Sequence, residues 1–273
     1  MPQNAKQLRT RIRSVDSTMH ITKAMELVAS SKLRRATENM DASRPYFAAM
    51  DEAISHISRI ESVFTKKTDG SRPCYIVMAG DRGLAGGYNN NIFKLLKAET
   101  EGKTAKIITV GKKMTEHAKK HGYDIIMSFP SIESIAVADT YEIGKKVNEL
   151  FRAGEINEVN VIYTRYMSML LQQPTVKGLL PISESGEKPR GEMLIEPGAG
   201  AVLSAIIPEY ISGMTYGAVC ESFASELSAR RNAMDNASKN AEEMIETLEL
   251  RYNRARQSAI TQEITEIIGG SES

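Results

Sequence analysis

From Leu8 onward the apolar residues of this chain alternate intervals of four and three. The series is Leu8, Ile12, Val15, Met19, Thr22, Glu26, Ala29, Leu33, Ala36, Met40, Ser43, Phe47, Met50, Ile54 and Ile57, and only Thr22, Glu26 and Ser43 are not apolar. A 3.5-residue period keeps one seam of a helix facing a partner helix and imposes a left-handed supercoil. The rhythm returns near the other end at Tyr216, Cys220, Phe223, Leu227, Arg230, Met234, Ala237, Ala241, Met244 and Leu248. After a one-residue slip it continues through Tyr252, Ala255 and Ala259. Neither end carries a globular core of its own, so the natural partner of each helix is the other. The intervening segment returns the chain to its starting side, which predicts an antiparallel pair.

The first helix is expected from Gln3 or Asn4 to about Phe64, with a bend at Ser43-Arg44-Pro45. Some 55 helical residues at about 1.5 Å each span roughly 80 Å, wider than a small domain. After a polar linker from Thr65 to Pro73, strands and helices alternate. Strands are predicted at Cys74–Ala79, Lys106–Val110, Asp124–Ser128, Val159–Thr164 and Met167–Leu180. Helices are predicted at Asn89–Thr100, Lys112–His121 and Ile132–Arg152. This βα alternation argues for a mostly parallel sheet covered on both faces, a Rossmann-like domain. A polar loop from Ser183 to Glu192 and a short strand at Met193–Glu196 follow. Helix returns at Ala199, with a break or new first turn at Pro208, and stops at Gly269-Gly270. The fold class is therefore α/β with long terminal helices. Its divisions are 1–64 for the first coil helix, 73–197 for the α/β domain and 198–273 for the C-terminal helical region.

The net charge of +1 points to neither nucleic acid nor an acidic substrate. Its distribution says more. Lys6, Arg9, Arg11, Arg13, Lys23, Lys32, Arg34 and Arg35 form a basic sleeve around the first seam, against only Asp16 and Glu26 over the same stretch. Such a run serves either a solvated face or an acidic partner. Cys74 and Cys220 lack any C-x-x-C or His context and read as buried thiols of a reduced compartment. No run of eighteen apolar residues and no leader pattern is expected to carry the chain into a membrane.

Gly80-Asp81-Arg82-Gly83-Leu84-Ala85-Gly86-Gly87 sits between a strand and a helix, where a dinucleotide fingerprint would sit. Its spacing is G-x-x-G-x-x-G rather than G-x-G-x-x-G, and no G-K-[ST] follows. Gly80, Gly83, Gly86 and Gly87 are read as an architectural turn, with no cofactor. His20, His56, His117 and His121 have no ligand partners at metal spacing, so no metal site is expected. No catalytic constellation is visible.

Two segments are more apolar than a two-helix seam requires. Ile21, Ala24, Met25, Leu27 and Val28 lie beyond the first seam. Ile260, Ile264, Ile267 and Ile268 form an i, i+4, i+7, i+8 stripe after the second. Helices apolar on more than one face are buried on more than one face, either by other subunits or by the chain's own α/β domain.

Ile21-Thr22-Lys23-Ala24-Met25-Glu26-Leu27-Val28-Ala29-Ser30-Ser31-Lys32-Leu33 resembles the N-terminal motif of the gamma subunits of rotary ATP synthases. Gly80 to Asn89 resembles that family's central glycine motif. Tyr252-Asn253-Arg254-Ala255-Arg256-Gln257 with Ile260 to Ile268 resembles its C-terminal signature. The likeness covers the whole chain in order, and the absence of a long regulatory insertion makes it similar to bacterial members. It implies a central-stalk rotor subunit without catalytic residues, present once per complex at the cytoplasmic face of the bacterial membrane. Its partners would be the alpha and beta subunits, the epsilon subunit and the membrane c-ring, and not nucleic acid. By the same resemblance Lys23, Met25, Arg34 and Arg35 would face the acidic loop of a beta subunit. Arg256, Gln257 and Thr261 would meet the beta-subunit catch loops, and Ile260, Ile264, Ile267 and Ile268 would sit in the upper bearing of the ring.

Overall fold

A computed structural model of the chain describes residues 2–57, 62–66, 70–182 and 198–271. Helix α1 (Pro2–Ile57) and helix α5 (Ala199–Ser271) flank a five-stranded sheet. The strands are β1 (Pro73–Met78), β2 (Lys106–Val110), β3 (Asp124–Phe129), β4 (Glu158–Tyr166) and β5 (Gln172–Leu180). The helices between them are α2 (Tyr88–Thr100), α3 (Lys112–Lys120) and α4 (Val137–Arg152). Strand order is β3-β2-β1-β4-β5, with β5 alone antiparallel.

Strand β1 shows why the sheet is covered twice. All six residues are buried, and they divide by parity. Cys74, Ile76 and Met78 join a core with α4, α5 and the end of α1, whereas Tyr75 and Val77 join one with α2 and α3. Period-2 side-chain alternation with both faces occupied gives a continuous apolar run.

The chain divides into two compact units, residues 31–229 and residues 1–30 with 230–273. In the larger unit α1 and α5 pack antiparallel. Rings at Tyr46 and Phe47 lie against Gly213 and Gly217, while Leu33, Ala36 and Met40 cluster with Ala224 and Leu227. In the smaller unit Thr22 Oγ1 and Ser238 Oγ are hydrogen-bonded at 2.7 Å across the two helices.

Several boundaries differ from the sequence expectation. Helix α1 is unbroken at Pro45 and is described to Ile57, and a turn at Ser62–Thr65, where helix was expected, seats Phe64 on Phe151. Helix α5 is likewise unbroken at Pro208 and continues through Gly269 and Gly270. The cost of proline or glycine in a helix is a few kcal/mol at most, and tertiary packing overrides it. At Pro45 the packing is the Phe47 ring, held so close to Gly217 that a Cβ there would lie 2.7 Å from it. Helix α4 begins at Val137 rather than Ile132, because the Asp139 carboxylate accepts from the Ala136 amide and fixes the start there. Residues 167–171 form the turn before β5 rather than part of it. The expected polar loop at 183–192 and strand at 193–196 lie outside the described residues.

Candidate functional site

In the smaller unit every α1 seam position from Leu8 to Ala29 is half-buried or buried, and the residues between them are mostly exposed. On α5 the seam differs from the expected one. Met234, Ser238, Ala241, Ile245, Leu248, Tyr252, Ala255 and Ala259 form a sheltered series, with Ala237 half-buried beside Ser238, while Met244 is 45% exposed. The alternation is thus unbroken and needs no slip. Ser238 is buried next to the half-buried Ala237, and the hydrogen bond of its hydroxyl to Thr22 offsets the cost of placing a polar residue in the seam.

Outside that seam the tip residues are uncovered. Ile21, Leu27 and Val28 are exposed on α1, and Ile260, Ile264 and Ile267 are exposed on α5, Ile267 by 71%. Arg256, Gln257 and Thr261 are exposed beside them, as are Lys23, Arg34 and Arg35; Met25 is half-buried. The side chain of Ile268 lies outside the described residues.

The glycine turn is built differently from a phosphate cradle. Asn89 Oδ1 accepts from the Gly80 amide at 2.8 Å, while Asp81 accepts from the Ile132 amide and the Ser131 hydroxyl. A Cβ at Gly80 would lie 2.7 Å from the buried Glu226 carboxylate of α5. The protein's own carboxylate therefore stands where an anionic ligand would approach. Gly86 takes φ +57° and Leu84 φ +62°, whereas Gly83 is not in the left-handed region. Among the described residues no group of His, Cys, Asp and Glu is arranged to hold a metal ion. His117 is instead stacked on Phe93 at 4.0 Å, and burial lowers its pKa. Burial also pushes the Cys74 thiol up to about 12, leaving it unreactive.

The larger unit holds a cavity of about 140 Å³ where α1, α5 and the sheet meet, lined in part by Arg44, Asp51, Tyr163, Lys177 and Glu221. Lys177 pairs with Asp51 at 2.8 Å. Burial raises the Glu221 pKa, opposed by the charges of Arg44, Arg165 and Lys177 and by a hydrogen bond from Tyr163. A carboxyl whose folded pKa lies above its unfolded one contributes stability below the unfolded value and loses it as pH rises through the folded one. Glu221→Gln is therefore expected to raise the melting temperature at neutral pH and to flatten its fall above about pH 4.5. Thermal melts from pH 4 to 8 check this; an unchanged slope would mean that the cavity solvates the carboxylate fully.

Comparison with known proteins decides the family. A family profile described as ATP synthase matches residues 4–273. The ATP synthase gamma chain of Ruminococcus albus is 46% identical over 280 residues, covering 98% of each chain. That of Moorella thermoacetica is 40% identical over 273 residues, covering 97% of each. The chain belongs to the ATP synthase gamma chain family. The chain is therefore a gamma subunit of an ATP synthase, which is a non-catalytic subunit. A solved structure of the Euglena gracilis mitochondrial ATP synthase rotor shares the fold, with a TM-score of 0.69 at 17% identity over 95% of this chain and all of that one. No described helix is long and apolar enough to cross a membrane.

Three serines of α5 escaped the sequence reading. Ser222, Ser225 and Ser228 are fully buried on α5. Their S-x-x-S-x-x-S spacing was the available signal, but short polar residues leave no mark on a hydrophobic period.

Proposed function

We propose that this chain turns as the central-stalk rotor of a bacterial ATP synthase, coupling ion-driven c-ring rotation to the conformational cycle of the catalytic beta subunits. The observation that carries the reading is the uncovered apolar tip at Ile260, Ile264 and Ile267, on a helix whose seam is already occupied. Exposed stripes of this kind mark partner surfaces. An upper bearing formed by the alpha and beta subunits supplies the cover, with Ile268 as its fourth member. Arg256, Gln257 and Thr261 then reach the beta-subunit catch loops.

Such a shaft acts as an effector. It favours a beta-subunit conformation only by its differential contact energy with the open and closed states. Lys23, Arg34 and Arg35 suit this role, with Met25 beside them, because charge attraction to an acidic loop tolerates a changing angle better than packing does. In this role the chain has three parts, a coil helix over 1–64, an α/β domain over 73–197 and a returning helical region over 198–273. The α/β domain is the part that meets the epsilon subunit and the c-ring. One copy serves each complex, held peripherally at the cytoplasmic face of the cell membrane.

The test is reconstitution with alpha and beta subunits and a membrane ring. The chain is expected to co-purify with them in one copy and to restore ATP-driven ion pumping; failure to join the alpha and beta subunits rejects the reading. Replacing Lys23, Arg34 and Arg35 together by Gln is expected to change the melting temperature little, since exposed pairs contribute about 0–1 kcal/mol. Pumping per ATP hydrolysed should fall. Unchanged pumping would return the sleeve to a solvated face.

A further inference from the structure

Between Ser222 and Ser228, beyond its apolar contact with the sheet, helix α5 is bonded through hydroxyls where apolar knobs would suffice. Tyr88 Oη lies 2.7 Å from Ser222 Oγ and donates to the Ser222 carbonyl at 3.0 Å. Ser222 Oγ also accepts from the Thr164 amide at 3.4 Å, and Ser225 Oγ donates to the Thr164 carbonyl at 3.0 Å. One turn further on, Ser228 Oγ donates to the Met169 carbonyl at 2.6 Å and accepts from Gln172 Nε2 at 3.3 Å. All three serines are fully buried. Most of their partners are backbone atoms of β4 and of the turn that follows it, and Thr164 within β4 cannot move without moving the sheet.

The choice of residue is informative. A buried hydroxyl is costly unless bonded, so a static seat is made as well by Ala or Leu. Apolar contacts are non-directional and allow one surface to slide over another at little cost. Hydrogen bonds fail steeply with angle and distance, and therefore resist turning and axial slip. Glu226, whose carboxylate closes on Gly80, lies on the same stretch of helix. Helix α1 is tied to the sheet domain in another manner. Its links there include the ion pairs Lys32–Glu133 and Asp51–Lys177, whose side chains are each more than a third exposed.

We infer that Ser222, Ser225 and Ser228 lock α5 to β4 and its turn, and that this lock carries torque from the sheet domain into α5. The inference rests on the rotor reading above. The serines are positioning residues; they touch neither nucleotide nor ion. Their function appears only under load, because torque crosses the lock when the membrane ring drives or resists rotation, and not when the detached catalytic complex hydrolyses ATP freely.

The test compares the two conditions in one complex carrying Ser222→Ala, Ser225→Ala and Ser228→Ala. ATP hydrolysis by the detached complex is expected to stay within about twofold. ATP synthesis driven by an imposed ion gradient in proteoliposomes is expected to fall about tenfold, equivalent to about 1.4 kcal/mol from the barrier to slip. Loaded and unloaded rates that are both unchanged would overturn the inference. So would rates that fall in equal proportion, because the seam would then only hold the fold. If the triple variant does not fold, Ser225→Ala alone is read in the same pair of assays, and an unshifted ratio of the two rates is again decisive against the lock. Failure of the unsubstituted chain to join alpha and beta subunits rejects the rotor reading instead, and is seen before any serine is changed.

Discussion

Truncation after Gln257 is expected to leave the free chain folded and to cripple its assembly and turnover in the complex. The residues removed contribute little to the free chain, since Ile260, Ile264 and Ile267 are 46%, 52% and 71% exposed. Burying an isoleucine from full exposure gains roughly 1.5–3 kcal/mol and these three start about half exposed, so a partner that covers the stripe gains about 2–5 kcal/mol in all before the cost of association. The core of residues 31–229 contains none of them and should melt as before. Two measurements separate the effects: the melting temperature of the free chain, and the yield and ATPase rate of the reconstituted complex. Hydrogen exchange gives the direct view, with amides 260–267 weakly protected in the free chain and strongly protected in the complex. Equal protection in both would mean that the stripe packs internally, and the bearing assignment would be abandoned.

What the sequence disclosed follows from which interactions are periodic. On α1 every position from Leu8 to Ile54 that the alternation of four and three picked is sheltered, because the seam there is mostly apolar. On α5 the same rule chose Ala237 and Met244 over Ser238 and Ile245. The serine looked like a surface residue, and its hydroxyl partner, Thr22, is 216 positions away. Pro45 and Pro208 were read by local propensity as breaks. Their helices continue because of contacts from remote glycines: Gly217 receives Phe47, and Gly144 brings α4 so close that a Cβ would lie 2.3 Å from the Pro208 carbonyl oxygen. The β1–β4 framework was legible from short apolar runs and glycine punctuation. The filling of the glycine turn by Glu226 was not, since a single carboxylate in a long helix carries no sequence signature of its destination.

That filling makes the glycines a graded test of architecture against ligand binding. Gly111→Ala is expected to have the largest effect on stability of any single glycine change in the α/β domain. Gly111 adopts φ +94°, which an L side chain rarely takes, and an added Cβ would stand 1.9 Å from the Ala79 carbonyl oxygen. Neither side can retreat. The Gly111 amide donates to the Phe129 carbonyl at 2.8 Å, the Ala79 amide donates to the Val110 carbonyl at 3.0 Å, and β1 is held between β2 and β4. Backbone strain and overpacking each cost about 1–3 kcal/mol, so the variant should lose about 3 kcal/mol or more and much of its assembled complex. Gly86→Ala meets a left-handed backbone alone and should lose about 1–2 kcal/mol. Gly83→Ala, where a Cβ would meet nothing within 4 Å, should stay within about 0.5 kcal/mol. Denaturant melts of the three variants order them directly. A Gly83→Ala loss as large as that of Gly111→Ala would contradict the backbone argument, and ATP binding by the free chain that Gly83→Ala abolishes would turn the turn back into a ligand seat.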